Sequence, residues 1–214
     1  MAEQWSGQVG AGGQYFPGGM VGPPPKRPTG LWVGLSLLLV VLLGAVAWLV
    51  VATNGTPQRR SAPDDSLTKV VTASDGRSRM TVPEGWRELA AEYRDERAVL
   101  AQGQLFQERY VMVVPFDKAD YTDFPDFEEA TVSELAGGGV LKVDQGTPMR
   151  LGGRTAVRYE MSGSIDGVDA LFWQTLVEGD GAYYQVIAWT LEDRRDAAGP
   201  ALDEIVATFE EIGR

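Results

Sequence analysis

Four aspartates recur at intervals of three residues in one acidic stretch, at Asp117, Asp120, Asp123 and Asp126. Hard cations such as Ca²⁺ prefer several oxygen ligands, and carboxylates at this spacing could supply some of them. The stretch lacks the central glycine and the ligand spacing of a helix–loop–helix calcium loop, and Asp123 or Asp126 can instead cap a helix. We therefore interpret the stretch as helix capping on an acidic surface, and we expect no metal and no cofactor.

Other catalytic chemistry is limited because the chain contains no histidine and no cysteine. Their absence excludes a Ser-His-Asp triad, a thiol nucleophile, a disulfide framework and an ordinary zinc site. Paired carboxylates could still catalyse hydrolysis, but Glu160 lies on a predicted solvent face and Glu178 borders a predicted turn. We predict that the protein is not an enzyme.

Four aromatic side chains lie close together in sequence on adjacent predicted strands: Trp173, Tyr183, Tyr184 and Trp189. Such a cluster could line a groove for a ligand or a protein partner. Packing in the hydrophobic core is the favoured interpretation, because large aromatic side chains dominate most cores.

Three glycine-containing turns separate alternating segments between residues 147 and 191. They are Gly-Gly at 152–153, Asp-Gly at 166–167 and Gly-Asp-Gly at 179–181. Asp-Gly and Gly-Gly supply the positive φ angles of tight hairpin turns. The pattern predicts a four-strand antiparallel meander.

Apolar patterning predicts which strands of the meander are buried. Residues 168–178 and 182–191 are apolar on both sides, so these strands should be central and covered on both faces. In the strand that starts at residue 154, Arg158 and Glu160 alternate with apolar residues, which predicts that one of its faces is exposed to solvent.

Two helices are predicted to cover the sheet. One begins near Asp123 and ends at the glycines 137–139, and the other follows Gly199-Pro200 and continues through Phe209. Together with earlier strands at SRMTVP, RAVLAQ and ERYVMVVPF, these elements predict an α+β domain with a mainly antiparallel sheet.

The rest of the chain divides by composition into a tail, an apolar run and a tether. We expect a disordered Gly/Pro-rich tail at 1–30, a transmembrane helix at 31–52, a polar tether at 53–66 and a soluble domain at 67–214. The run 31–51 carries no charge, and its length of about 31 Å as a helix matches a bilayer core of about 30 Å. A cleaved signal peptide usually has a shorter apolar region nearer the N-terminus, which favours an uncleaved span through the lipid bilayer.

Charge predicts the orientation of this span and excludes one class of partner. Lys26 and Arg27 lie closer to the apolar run than Arg59 and Arg60 do, which favours a cytoplasmic N-terminus and an extracytoplasmic domain at the cell membrane. The domain holds 15 basic and 27 acidic residues, a net charge of -12. Nucleic acid is therefore not an expected partner.

Several segments, in chain order, resemble one known family. They are MTVPEGW at 80–86, ERYVMVV at 108–114, LGGRTAVRYEMSG at 151–163 and a hairpin that ends in VEGDGAYYQVIAWT. Their order resembles the PsbP-like fold group, and in character the chain is closest to the actinobacterial membrane-anchored LpqN-type envelope proteins. The resemblance covers residues 78–211, with anchors at Pro83, Gly85, Trp86, Gly153, Trp189 and Phe209. It implies a binding or assembly role, and it carries no catalytic residues over.

These observations leave three functional hypotheses in order. The first is a single-pass, membrane-anchored extracytoplasmic protein that binds a protein or an envelope component without catalysis. The second is a carrier or sensor of a small apolar ligand held in a pocket between sheet and helices. The third is a carboxylate-dependent hydrolase of the cell envelope.

Overall fold

The computed structural model describes residues 67–137, 141–165 and 167–213. The predicted tail, transmembrane helix and tether lie outside these residues, so they remain predictions. Within the described ranges, no helix is both long enough and apolar enough to cross a membrane.

The described residues form two helices and two sheets. Helix α1 spans Phe124–Gly137 and helix α2 spans Arg195–Ala207. The strands are β1 (Thr68–Thr72), β2 (Ser78–Pro83), β3 (Arg87–Glu88), β4 (Leu100–Gln104), β5 (Arg109–Phe116), β6 (Lys142–Val143), β7 (Thr147–Leu151), β8 (Arg154–Ile165), β9 (Val168–Glu178), β10 (Tyr183–Leu191) and β11 (Glu210–Glu211).

The larger sheet has the order β3-β4-β5-β10-β9-β8-β6, with β7 also paired to β8, and the smaller sheet has the order β1-β2-β11. Neighbouring strands are antiparallel. Strands β7 to β10 follow one another as predicted, so the meander and the α+β class are confirmed. In two of the three predicted turns the glycines, at 152, 153 and 167, adopt positive φ, whereas the turn at 179–181 forms without a positive φ at either glycine.

Strands β9 and β10 lie in the middle of the larger sheet and are buried along most of their length, as predicted. Helix α1 packs on one face of the sheet, which we call the α1 face, through Phe127 and Leu135. Helix α2 and the smaller sheet cover the opposite α2 face, where Leu202 and Met80 join its core. The domain therefore has three layers, and both faces of its central strands are dry.

The second helix begins earlier than predicted. Gly199-Pro200 was expected to precede it, but both residues lie inside α2. Pro200 fits the helical φ, but it removes one backbone hydrogen bond and its ring crowds the carbonyl of Asp196, so the helix has a local cost at this point. Burial of Ala198 and Leu202 against the sheet favours the helix, and its C-terminus lies at Ala207 rather than at the predicted Phe209.

The predicted solvent face of β8 is also wrong. Arg158 forms an ion pair with Asp203 of α2, and Glu160 pairs with Arg195 at 2.6 Å. Helix α2 covers this face, and its charged residues compensate for the partial burial of both side chains.

Candidate functional site

The four aromatic residues for which core packing was favoured over a groove do not lie on one surface. Tyr183 and Trp189 lie on the α1 face, whereas Trp173 and Tyr184 lie on the α2 face. Successive side chains of a strand point to opposite faces, so Tyr183 and Tyr184 cannot share one. All four are buried, and each pair therefore belongs to a separate environment.

On the α2 face, Trp173 is surrounded by well-partnered groups. The indole Nε1 of Trp173 donates a hydrogen bond to Glu160 at 3.0 Å, and the guanidinium of Arg158 lies 5.7 Å from the indole ring centroid. A Cβ on Gly199 would stand only 3.4 Å from the same indole. Trp173 is thus fixed by polar contacts on two sides and by a close helix above it.

As on the α2 face, where Trp86, Gln102 and Thr190 have such atoms, the α1 face contains buried polar atoms that have no hydrogen-bond partner among the described residues. They are Nε2 of Gln174, Oε1 of Gln185 and Nε1 of Trp189. The amide of Gln185 donates one bond, to the Thr131 hydroxyl of α1 at 3.3 Å. Ile187, which pairs with Gln174 in the middle of the sheet, is only half-buried. Buried polar groups are normally paired, so this face could accept an additional hydrogen-bonding molecule.

A charged cluster borders the same face beside α1. Arg97 makes two side-chain hydrogen bonds to the buried Asp95, at 3.1 and 2.9 Å, and its guanidinium lies 5.1 Å from the Phe116 ring centroid. Burial raises the pKa of the Glu134 carboxyl above its ordinary value; the positive charge of Arg97 opposes this shift, and the negative charge of Asp95 adds to it. Arg97 is therefore the shared cation of two carboxylates.

The four aspartates of the acidic stretch have mainly local roles. Asp123 accepts the backbone N–H of Asp126, and Asp126 accepts that of Thr122, each at 2.9 Å, in a reciprocal cap at the start of α1. Asp117 accepts the N–H of Ala119 at 2.9 Å, and Asp120 lies in the short 3₁₀ turn that follows. In the described part of the chain, no group of three or more acidic residues is arranged to hold a metal ion.

One end of the domain is tied together by Glu211. Its carboxylate accepts the N–H groups of Asp180 and Gly181 at 2.6 and 2.9 Å, and it pairs with Arg154 at 2.9 Å. The Tyr184 hydroxyl donates a further bond to it at 3.2 Å. We call this region, which joins β11 to the turn between β9 and β10, the C-terminal end.

The opposite end carries three exposed apolar side chains. Leu67 is 59% exposed, and Leu105 and Phe106, at the tip of the β4–β5 hairpin, are 44% and 69% exposed. Strand pairing places them at the same end of the domain, because the Leu67 carbonyl accepts the N–H of Glu84 at 2.8 Å, and Arg87, three residues further on, pairs with Gly103 of the hairpin. We call this the N-terminal end, since residue 67 begins the described domain there.

The hairpin tip has a defined conformation. Glu108 adopts a positive φ of 53°, which is uncommon for a residue other than glycine. Its carboxylate is buried and lies 2.6 Å from the Arg194 guanidinium, beyond the end of β10. Sequence reasoning missed this tip, although Leu105-Phe106 is conspicuous because it occupies a turn in which polar residues are normal.

Comparison with solved structures supports the resemblance that the sequence carries. The chain is similar to cyanobacterial PsbP (CyanoP) from Synechocystis, with a TM-score of 0.52 and 13% identity over 74% of this chain and 99% of that chain. The chain has the PsbP-like fold. This confirms the predicted fold group, and identity at this level establishes the fold alone.

Two other solved structures match with lower TM-scores. LpqN of Mycobacterium tuberculosis, described as involved in cell envelope biogenesis, has a TM-score of 0.45 and 19% identity over 68% of this chain and 91% of that chain. A protein of unknown function from Pseudomonas aeruginosa has a TM-score of 0.43 and 15% identity over 69% and 98%. No protein-family model and no curated protein sequence matches the chain.

Proposed function

We propose that the protein is a single-pass, membrane-anchored accessory protein of the cell envelope whose extracytoplasmic PsbP-like domain binds a partner without catalysis. The uncharged run 31–51 supplies the anchor, and the domain of net charge -12 lies outside the membrane. This orientation follows from Lys26 and Arg27, which lie next to the apolar run on its N-terminal side.

The observation that carries the non-catalytic assignment is the pairing of buried carboxylates with arginines. Asp95 pairs with Arg97 at 2.9 Å, and Glu108 pairs with Arg194 at 2.6 Å. Glu211 is bound by Arg154 and by backbone N–H groups. Carboxylate hydrolysis needs two acidic groups that converge on a cleft with their pKa values set apart. Asp95, Glu108 and Glu211 are instead distributed over the domain: Glu108 and Glu211 each connect separate elements, and Asp95 pairs within its own loop. Glu134, which interacts with Asp95, shares the positive charge of the same Arg97.

The membrane topology can be tested directly because the chain has no native cysteine. Single cysteines would be introduced by Ser6→Cys in the tail and Ala207→Cys at the exposed end of α2. In intact cells, a membrane-impermeant maleimide should label A207C, and it should label S6C only after permeabilisation. The unsubstituted chain is the blank. The reverse pattern, or extraction of the protein from membranes by alkaline carbonate, would reject the proposal.

The unpaired polar atoms of the α1 face favour a second candidate function. In this function, the α1 face binds a small ligand with an apolar body and a polar group. Full-length protein purified from its host would be examined by native mass spectrometry for a bound small molecule. Gln174→Leu should abolish such binding. Gln102→Leu removes a similarly buried amide from the α2 face and should leave the bound mass unchanged. The absence of any additional mass on the parent protein would reject this candidate.

A further inference from the structure

We propose that the N-terminal end of the domain rests on the bilayer that anchors the chain, with the β4–β5 tip inserted among the lipid headgroups. This inference depends on the proposed single-pass anchor. The apolar contacts are Leu67, Leu105 and Phe106, which are each more than two-fifths exposed. The inference deepens the proposed function, because it makes the lipid surface itself a partner of the folded domain.

The chain enters the folded domain at its N-terminal end. Strand β1 begins at Thr68, which pairs with Pro83 at one end of β2. The other end of β2, at Ser78, pairs with Glu211 at the C-terminal end of the domain. Residues 1–66 therefore join the domain at the end that carries the exposed apolar side chains. The tether 53–66 has a root-mean-square reach of about 20 Å, so this end is the part of the domain held nearest to the apolar run.

The shape of the tip also favours insertion. A flexible loop would lose conformational entropy on insertion, whereas this tip is already fixed by three local contacts. Glu108 has left-handed backbone geometry and is held by Arg194. The backbone N–H of Phe106 bonds to the Gln104 side chain at 3.3 Å, and that of Gln107 bonds to the Gln104 carbonyl at 3.2 Å. The tip therefore presents Phe106 with most of the ordering cost already met.

The charge of the domain selects the kind of lipid that it contacts. The domain carries a net charge of -12 and should be repelled by anionic headgroups. Lys69 and Arg87 lie at the N-terminal end beside the exposed Glu84 and Glu88, and both cations donate hydrogen bonds to the Trp86 carbonyl, at 2.6 and 3.4 Å. Contact with a zwitterionic surface through apolar groups, with lysine and arginine near the phosphates, is consistent with both facts. Tethering makes a weak contact sufficient, because it sets an effective concentration of about millimolar order.

The test uses full-length protein reconstituted in nanodiscs of phosphatidylcholine. An environment-sensitive fluorophore is attached to a single introduced cysteine, either Phe106→Cys at the tip or Ala207→Cys at the far end of α2. Nitroxide-labelled lipids should quench the fluorophore at position 106 and leave the one at 207 bright. Partial replacement of phosphatidylcholine by phosphatidylglycerol should weaken the quenching at low ionic strength, and added salt should restore it.

A second comparison tests the tip without placing the probe on it. With the fluorophore on Gln107→Cys, the additional change Phe106→Ser should reduce the quenching. Val70→Ser removes a similarly exposed apolar side chain from the middle of β1 and should leave the quenching unchanged.

Each alternative result overturns the inference in a recognisable way. Equal, weak quenching at 106 and 207 would show an anchored domain that does not rest on lipid. A blue-shifted probe at 106 that nitroxide lipids cannot quench would show that a protein, such as a second copy of the chain, covers the tip. Failure of the full-length chain to enter nanodiscs would remove the anchor as well, and with it the proposed function.

Discussion

At the C-terminal end, one carboxylate joins a strand, a turn, an arginine and a tyrosine hydroxyl, while at the N-terminal end Phe106 contacts little and is 69% exposed. Both ends are built from the same two antiparallel sheets, so their difference does not come from topology. It shows that polar side chains close one end, whereas the other end keeps apolar surface available. The following predictions test this distinction.

The largest effect is expected at the turn of the C-terminal end. A Cβ on Gly179 would lie 2.6 Å from both the Ala182 carbonyl oxygen and Tyr184 Cε2, so Gly179→Ala should lower the free energy of unfolding by about 2–3 kcal/mol. Urea unfolding measures this change. Gly181→Ala is the matched control in the same turn, because its Cβ would meet only a Glu211 oxygen at 3.5 Å. Equal losses from both variants would mean that the turn itself, and not the close packing at Gly179, matters.

A smaller loss is expected when Glu211 is neutralised. Glu211→Gln keeps the size of the side chain but weakens its charge-assisted bonds to Arg154 and to the turn, at a cost of about 1–2 kcal/mol. Glu210→Gln is the control, because its ion pair with Arg79 is exposed and should contribute about 0–1 kcal/mol. If the two variants proved equally stable in thermal unfolding, the bonds of Glu211 would not be what stabilises this end.

The ends should also respond to pH with opposite signs. A hydrogen bond from Arg154 lowers the pKa of Asp180 below its ordinary 3.8, so its stabilisation is present above that pH and is lost as the pH falls further. Burial raises the pKa of Glu108 above its ordinary 4.5, with Arg194 in opposition, so stability is fully present below 4.5 and is lost as the pH rises through the folded value.

Thermal unfolding of two variants across acidic and neutral pH measures this contrast. The midpoint temperature of unfolding of Asp180→Asn should lie below that of the parent at neutral pH and approach it in acid. The midpoint temperature of Glu108→Gln should equal that of the parent in acid and exceed it at neutral pH. Parallel curves for parent and variants would contradict the assigned signs.

The smallest change in stability is expected at the tip. Phe106→Ser removes a side chain with few contacts and should alter the free energy of unfolding by no more than about 0.5 kcal/mol. Chemical denaturation of this variant beside Val70→Ser provides the measurement. A loss well above that of Val70→Ser would show that Phe106 packs within the domain, and the contrast between the ends would no longer hold.

Local signals explain which parts of the fold could be predicted. The Gly-Gly dipeptide at 152–153 and the Asp-Gly dipeptide at 166–167 act within a few residues of chain, and they correctly delimit β7, β8 and β9. The start of α2 could not be found in this way, because Gly199-Pro200 normally marks a turn and it is burial of the helix against the sheet that favours a helix through it. Tertiary packing overrides the local preference at this point.

The candidate surfaces were harder to predict because they depend on pairing between distant segments. The sequence alone does not say that α2 supplies Asp203 and Arg195 to β8, and so it misplaced Arg158 and Glu160 in solvent. Nor does it say that residue 67 and the β4–β5 tip share an end, which follows only from the register of β1, β2 and β3. Leu105-Phe106 itself was visible in the sequence as an apolar pair between two strands.

Strand β8 determines how far the two ends are separated. Its 12 residues, Arg154–Ile165, extend about 40 Å at roughly 3.3 Å per residue. With the N-terminal end on the bilayer, the C-terminal end around Glu211 lies above the headgroups at several times the Debye length of about 8 Å. A protein that binds there would respond to the charge of the domain and not to that of the membrane. The domain would then serve as a spacer that presents a contact surface beyond the electric field of the lipid.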